Sequence, residues 1–218
     1  MRGWFTVLAL AAGLALVCPA PGQAEGAKDQ AWLTGDYTID PFHTSPQFEY
    51  QHFGISRVRG RFDHTTGTLR LDAAHRRGQI DVTIAVASLS TGVALLDQRL
   101  KDSNYFDAKT FPTIRFKSAD LRFKGDQLIA VVGDLTIHGV TRKATLQVAN
   151  AACRQHRNPT MTLAACGANA TTVINRSDFG LGAFVPLVSD AVTITIAVEA
   201  IKGAQGVEDQ FKLVPKGR

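Results

Sequence analysis

The sequence predicts an all-β fold, a sandwich or barrel of about eight antiparallel strands with a short helix lying across one end. Three observations lead there. Apolar and polar residues alternate with a period of two through most of the chain after Tyr37. Turn-forming dipeptides separate the alternating runs, and one stretch, between Thr91 and Phe106, leaves period two for helical spacing.

The N-terminus stands apart from this pattern. Met1-Arg2 is followed by an apolar run from Trp4 to Val17 and then by CPAPGQA, the pattern of a secretory signal cut after Ala24. The run stops at Cys18-Pro19, short of the roughly 20 apolar residues a spanning helix needs. Residues 25–36 are expected to be an N-terminal linker, 37–201 the barrel, and 202–218, rich in Lys, Gly and Gln, a loose tail.

Within the barrel, Ile80, Val82, Ile84 and Val86 alternate with Gln79, Asp81, Thr83 and Ala85. The same holds for Val131, Gly133, Leu135 and Ile137, and for Val192, Ile194, Ile196 and Val198. Shorter alternations surround Leu69-Leu71, Ile114-Phe116 and Ala144-Leu146-Val148. Each reads as a half-buried antiparallel strand. Thr66-Gly67, Arg77-Gly78, Gly125-Asp126 and His138-Gly139 are the expected turns. In GVALLDQRLKDSNYF, Leu95, Leu96 and Leu100 fall near helical spacing after Thr91 as a starter.

Composition bounds the function. The 218 residues are 45% hydrophobic and 20% charged, the balance of an ordinary globular domain. Removing the signal takes away Arg2 and lowers the formal charge from +5 to +4. No Lys/Arg block is dense enough to argue for nucleic acid. Cys153 and Cys166 remain as a pair, with Asn158-Pro159 midway between them. In an oxidising compartment that favours a disulfide clamping a loop or hairpin; the alternative, a metal or redox pair, lacks C-x-x-C spacing.

The stretch DPFHTSPQFEYQHFGISRVRG, Asp40 to Gly60, holds the densest chemistry. On a strand from Gln47, Phe48, Tyr50 and His52 share one face and Gln47, Glu49 and Gln51 the other. His52 then points inward as a hydrogen-bonded polar group, a ligand contact, or a catalytic or metal residue. No H-x-x-x-H helix pair, G-x-S-x-G elbow or paired acids near a histidine accompany it. Catalytic and metal-ligating residues are therefore not assigned. Arg57, Arg59 and Arg61 line one side of the next strand, either as a solvated outer face or as a basic rim for a diphosphate or carboxylate. Asp97 and Arg99 on the helix belong to the same candidate mouth.

Six segments, YTIDPFHTSPQFEYQHFGISRVRGRF, ASLSTG, DQRLKDSNYFDAKTFPTIRFKS, GDLTIHGVTRKATLQV, INRSDFG and SDAVTITIAVEA, in that order, resemble the YceI-like family of bacterial proteins from about Tyr37 to Ile201. The resemblance implies a lipocalin-like antiparallel barrel in the periplasm, with a hydrophobic pore for a long isoprenoid lipid, a polyprenyl diphosphate or quinone-like molecule. It also implies a binding protein rather than an enzyme, with no cofactor besides the lipid, and a link to membrane cytochromes of the b561 type. On this reading Phe48, Tyr50, His52, Phe53, Leu95, Leu100, Phe106, Phe179 and Phe184 are pocket wall, and Arg57, Arg59, Asp97 and Arg99 meet the head group. Where the family helix commonly reads Arg-Asp-x-His-Leu, this chain has Leu96-Asp97-Gln98-Arg99-Leu100. One cation is lost and another moves along the helix. An enzyme acting on the bound lipid, and an unliganded adaptor for a membrane partner, are the competing readings. An exposed strand edge also leaves room for a homodimer.

Overall fold

The computed structural model describes residues 31–158 and 161–203. The expected signal peptide and the tail beyond residue 203 lie outside the described residues. The expected linker reaches into them: a single 3-10 turn occupies Ala31–Leu33, and the first strand begins at Gly35.

Among the described residues, eleven strands form one antiparallel sheet. They are β1 (Gly35–Ile39), β2 (Ser45–His52), β3 (Ser56–Phe62), β4 (Thr65–Asp72), β5 (Arg77–Ala85), β6 (Leu89–Ser90), β7 (Thr113–Lys124), β8 (Gln127–Ile137), β9 (Val140–Asn158), β10 (Met161–Asn175) and β11 (Val188–Lys202). Six of them join into three long staves. The pairing of β1 with β4, Thr38 opposite Thr68, continues as that of β2 with β3, Gln47 opposite Arg61. The pairing of β4 with β5 likewise continues as that of β3 with β6. Eight staves result, each antiparallel to the next. The first closes on the last, because β11 pairs with both β1 and β2. Closure removes the free sheet edges, and it decides for barrel over sandwich.

The staves bend at one level. The first is interrupted at Asp40–Thr44, where the Asp40 N–H still donates to the Glu199 carbonyl at 2.9 Å. There the Thr44 hydroxyl both donates to the Glu199 carbonyl, at 3.3 Å, and accepts from the Glu199 N–H, at 3.1 Å. Asp40, buried on the same bend, accepts from the Phe42 N–H at 2.9 Å and from His43 Nδ1 at 2.6 Å. The backbone thus leaves the ladder without leaving polar groups bare.

Alternation in sequence becomes alternation in burial. In β7, Ile114, Phe116 and Ser118 are buried between exposed Thr113, Arg115 and Lys117. Inward residues of this kind make the main apolar cluster, built on Phe62, Leu89, Leu100, Phe116, Leu135 and Phe179. Each such side chain withdrawn from water contributes about 1.5–3 kcal/mol. A smaller cluster of Tyr37, Ile39 and Ala200 sits where β1 meets β11, and there the Tyr37 hydroxyl donates to the Leu33 carbonyl at 2.6 Å.

Two of the expected turns are not turns. Thr66-Gly67 lies inside β4, since a Cβ on Gly67 would collide with the Asp81 carbonyl oxygen; the glycine permits close strand approach. Arg77-Gly78 opens β5, and the chain reverses just before it, at residues 73–76. Gly125-Asp126 and His138-Gly139 turn as expected. His138 and Gly139 both have positive φ, 51° and 75°, the geometry of a two-residue hairpin loop.

The helix α1 (Ala94–Lys101) is shorter than the helical spacing predicted. Thr91 does not cap it: the N-cap is Val93, without a side-chain cap bond, and Thr91 lies two residues earlier, where its N–H and its hydroxyl both donate to the Asp97 carboxylate, each at 2.6 Å. Those bonds hold the Asp97 carboxyl below its ordinary range, the hydroxyl contact foremost. The helix and the residues up to Pro112 connect β6 to β7 across what we term the upper end. The β2–β3 tip, the His138-Gly139 turn and the β10–β11 loop share that end; residues 73–76 and Gly125-Asp126 mark the lower one.

Candidate functional site: a pore through the barrel

A cavity of about 720 Å³ runs the length of the barrel. Leu33, Arg76 and Asp126 border it below, and Phe53, Arg99 and Phe184 above. Its wall is the inward row of each stave. Strand β11 contributes Val192, Ile194, Ile196 and Val198, β10 contributes Cys166, Ala168, Ala170 and Ile174, and β7 contributes Ile114 and Phe116. A volume of this size lies in the range of small-molecule and lipid pockets.

Aromatic rings shape the upper half. Phe48 stacks beside Tyr50, ring centres 6.3 Å apart, and tilts against Phe62 at 5.8 Å; Phe62 meets Phe106 edge-on at 5.9 Å. Phe48 fits because Gly60 lies opposite it in the ladder. A Cβ there would collide with the ring.

The pore's disulfide is a cross-strand staple. Cys153 of β9 and Cys166 of β10 are register partners with Cα atoms 4.0 Å apart, and both border the cavity in its lower half. The expected hairpin clamp is therefore present.

Polar groups gather near the upper mouth: Tyr50, His52, Arg99, Tyr105 and Arg176 all border the cavity. Burial pushes the Tyr50 phenol up, the Arg176 charge opposing and Tyr105 adding to the shift. Arg99 lies over the Tyr105 ring, its guanidinium carbon 5.9 Å from the centre. Arg176 is held in place by backbone. A bulge in β11 between Val188 and Val192 releases the Ser189 carbonyl, which accepts from Arg176 Nε at 2.9 Å, while the Val188 carbonyl accepts from Nη2 at 2.9 Å and the Leu181 carbonyl from Nη1. Asp190 clasps the same loop, accepting from the Ser177 N–H at 2.8 Å and hydroxyl at 2.6 Å. Deeper in the wall, Thr65 is fully buried, and its hydroxyl is the one buried side-chain polar atom among the described residues without a hydrogen-bond partner.

The residues expected to form the site divide. Phe48, Tyr50, His52, Phe53, Leu100, Phe106, Phe179 and Phe184 line the cavity, Phe53 and Phe184 at its exposed rim. Leu95 does not: it is 77% exposed. Leu96 and Leu100, four residues apart, share the inward face of the helix, which turns Leu95 outward. Arg99 borders the mouth, whereas Asp97 is occupied by Thr91. Arg57 and Arg59 point outward from β3 and share one carboxylate, with Arg57 Nη1 at 2.8 Å and Arg59 Nε at 2.6 Å from Glu49. They belong to the solvated face, since an odd offset from the inward Val58 and Gly60 directs them away from the lumen.

Sequence reasoning did not single out Leu96 or Arg176 as site residues. The four-residue spacing of Leu96 and Leu100 was a usable signal for the first; Arg176 lies in the quoted segment INRSDFG, which marks the family but not a place at the pore. Asp40, His43 and Glu199 bring carboxylate and imidazole atoms within 4.8 Å of one another. The Asp40 oxygens are already taken by Phe42 and His43, and none of the three residues borders the pore. We read this group as the clasp of the bend.

The fold and the cavity define a class: closed antiparallel barrels whose interior is a continuous apolar pore with polar groups at its two mouths. Within that class the chain belongs to the YceI-like domain family, whose model matches residues 37–200. A UPF0312 protein of Pseudomonas putida strain F1 is 32% identical over 203 residues, covering 90% of this chain and 97% of that one. One from Vibrio vulnificus strain YJ016 is 34% identical over 140 residues, 63% of this chain and 70% of its own.

Among solved structures, the Campylobacter jejuni YceI protein is similar with a TM-score of 0.61 and 26% identity, over 71% of this chain and 90% of that one. Burkholderia cenocepacia BcnA aligns with a TM-score of 0.60 and 24% identity, over 74% and 98%. A domain from Saccharophagus degradans described as polyisoprenoid-binding shares the fold, with a TM-score of 0.55 and 16% identity over 76% and 98%. No helix among the described residues is long and apolar enough to cross a membrane.

Proposed function

We propose that the protein binds one long-chain isoprenoid lipid in this pore and serves as a periplasmic carrier. The observation that carries the reading is the continuous apolar cavity of about 720 Å³, whose upper mouth carries tyrosine, histidine and arginine side chains and whose lower mouth is bordered by the Arg76–Asp126 ion pair. Each methylene or methyl transferred from water into such a wall contributes about 0.8 kcal/mol, so a linear hydrocarbon chain is held by area alone. Tyr50, His52, Tyr105 and Arg99 are then left for a polar head at the upper end. The fold neighbour described as polyisoprenoid-binding supports the ligand class. The cross-strand disulfide and the apolar N-terminal run support an oxidising compartment outside the cytoplasm.

The pore favours binding over catalysis. Among the described residues that border it, the one carboxylate, Asp126, sits at the lower end bonded to Arg76, far from His52. The His52 ring itself packs edge-on against Phe53 at 4.6 Å. A general base needs its acid and its substrate atom within hydrogen-bond reach.

The test is organic extraction of the protein purified from periplasm, with mass spectrometry of the extract and native mass of the intact protein. A stoichiometric isoprenoid is the expected result, and the same native mass reports any second copy of the chain. A protein that is empty as purified and takes up neither polyprenyl diphosphate nor quinone overturns the proposal.

A further inference from the structure

We propose that the upper end of the barrel is a membrane-docking surface that seats the pore mouth on a bilayer carrying anionic phospholipid. The proposal rests on the reading of the pore as a lipid site and adds where and how the lipid enters.

The exposed large apolar side chains are unevenly placed. Phe53 and Ile55 stand on the β2–β3 tip, Val93 and Leu95 at the start of α1, and Phe184, Val185 and Leu187 in the β10–β11 loop. Only Phe42, Ile129 and Val173 lie elsewhere among the described residues, scattered over the barrel wall. The seven are exposed to a degree no folding argument requires, Ile55 by 85% and Leu95 by 77%.

They also form one surface. The Phe53 N–H donates to the Leu187 carbonyl at 2.8 Å, joining tip to loop, and the Val188 N–H donates to the Phe184 carbonyl at 2.8 Å, closing the loop. Phe53, Phe184 and the helix residue Arg99 all border the cavity, so the three segments meet around its opening. The lower rim is of opposite character: the Arg76–Asp126 ion pair borders it, and next to it His75 is hydrogen-bonded to Asp72. Single exposed apolar residues need no explanation, but a contiguous set marks an interaction site.

The occupant follows from chemistry and charge. A long isoprenoid leaving the pore through water would re-expose every methylene at about 0.8 kcal/mol each; a mouth pressed against hydrocarbon avoids that barrier. Behind the Ile55 tip, the outer face of β3 carries Arg57, Arg59 and Arg61 against two acids, Glu49 and Asp63. Arg99 and Lys101 stand behind Leu95 on α1 with Asp97 tied to Thr91, and the chain carries +5, or +4 without the expected signal. Apolar tips with long cations set behind them match the layering of a bilayer whose phosphates lie above its acyl chains.

The experiment is flotation of the full protein with phosphatidylglycerol–phosphatidylethanolamine vesicles and with phosphatidylcholine vesicles. It compares wild type with Ile55→Asp/Leu95→Asp/Leu187→Asp, whose residues do not line the cavity, and with the wall control Ile129→Asp/Val173→Asp. Wild type and control are expected to float with phosphatidylglycerol vesicles and several-fold less with phosphatidylcholine. The triple variant should lose at least tenfold while keeping its melting temperature and bound lipid. Wild type that fails to float, or a triple variant that floats like the control, overturns the proposal. So does a wild-type dimer that the triple variant splits without any vesicle binding, because the surface then belongs to a second copy. Intact, mouth-dependent flotation of a protein whose extract holds no isoprenoid and that takes up neither polyprenyl diphosphate nor quinone supports docking and overturns the carrier reading instead.

Discussion

Replacing Ala170 by Phe should shorten the longest chain the pore accepts by about one isoprene unit. Ala170 sits mid-wall on β10, 6% exposed, and its ladder partners Val148 and Ile196 also border the cavity. An added phenyl ring therefore has only the lumen to enter. The ring carries about as many carbons as one isoprene unit, and leaving five lipid carbons unburied at about 0.8 kcal/mol each costs about 4 kcal/mol. That corresponds to an upper bound of roughly a thousandfold in Kd.

The assay is titration of lipid-stripped protein with prenyl alcohols of increasing length, circular dichroism confirming the fold. Affinity should fall for the longest alcohols and stay unchanged for the shortest. Ala168→Phe, two residues and about 7 Å nearer the lower end, should tolerate a longer chain than Ala170→Phe if the head sits at the upper mouth. Equal affinities for all lengths in both variants would refute a chain threaded along this lumen, and a reversed order would refute its polarity.

Removing the staple with Cys153→Ala/Cys166→Ala opens a loop spanning a sequence separation of 13 and should cost about 3 kcal/mol. In a domain of this size that is a melting-temperature drop on the order of 6–12 °C; calorimetry showing no drop would mean the hairpin is already rigid when unfolded. The bond to Asp40 raises His43 above its ordinary value of 6.5, burial partly opposing. This contribution to stability is fully present below pH 6.5 and is lost as pH rises through the raised value. Thermal melts across that window should show a decline that His43→Asn lacks, and parallel curves would remove the clasp from the account. Gly60→Ala should drive Phe48 off its seat and cost about 1–3 kcal/mol in denaturant unfolding; an unchanged midpoint would show that the ring moves freely.

The barrel was legible because alternation is a local property. Ile80 to Val86 or Val192 to Val198 declare an inner face whatever the rest of the chain does, and the helix declared itself by abandoning that period. The family resemblance then supplied closure and hollowness, which alternation alone cannot, since a filled barrel reads the same. What stayed hidden depends on partners far away in sequence. Gly67 and Gly139 each follow a polar residue and look alike as turn signals. Gly139 has φ 75° at a hairpin tip, whereas Gly67 lies in mid-strand because the Asp81 carbonyl leaves no room for a Cβ.

Arg57 and Arg59 show the same limit for the site. Their spacing correctly aligned them on one side of a strand, but only the position of Glu49 on the neighbouring stave reveals that side as the outside. Arg176 is the converse. Its three backbone acceptors come from Leu181, Val188 and Ser189, brought around it by a loop and a bulge with no sequence signature. A guanidinium with three of its five N–H donors on carbonyls offers a ligand its charge and at most two hydrogen bonds. On the proposed function, recognition of a head group at this mouth falls to Arg99, Tyr50, His52 and Tyr105, which all border it. Because α1 is anchored through Thr91 and Asp97 rather than through Arg99, the proposed function expects Arg99→Leu to change head-group preference in the titration while leaving the melting temperature unchanged.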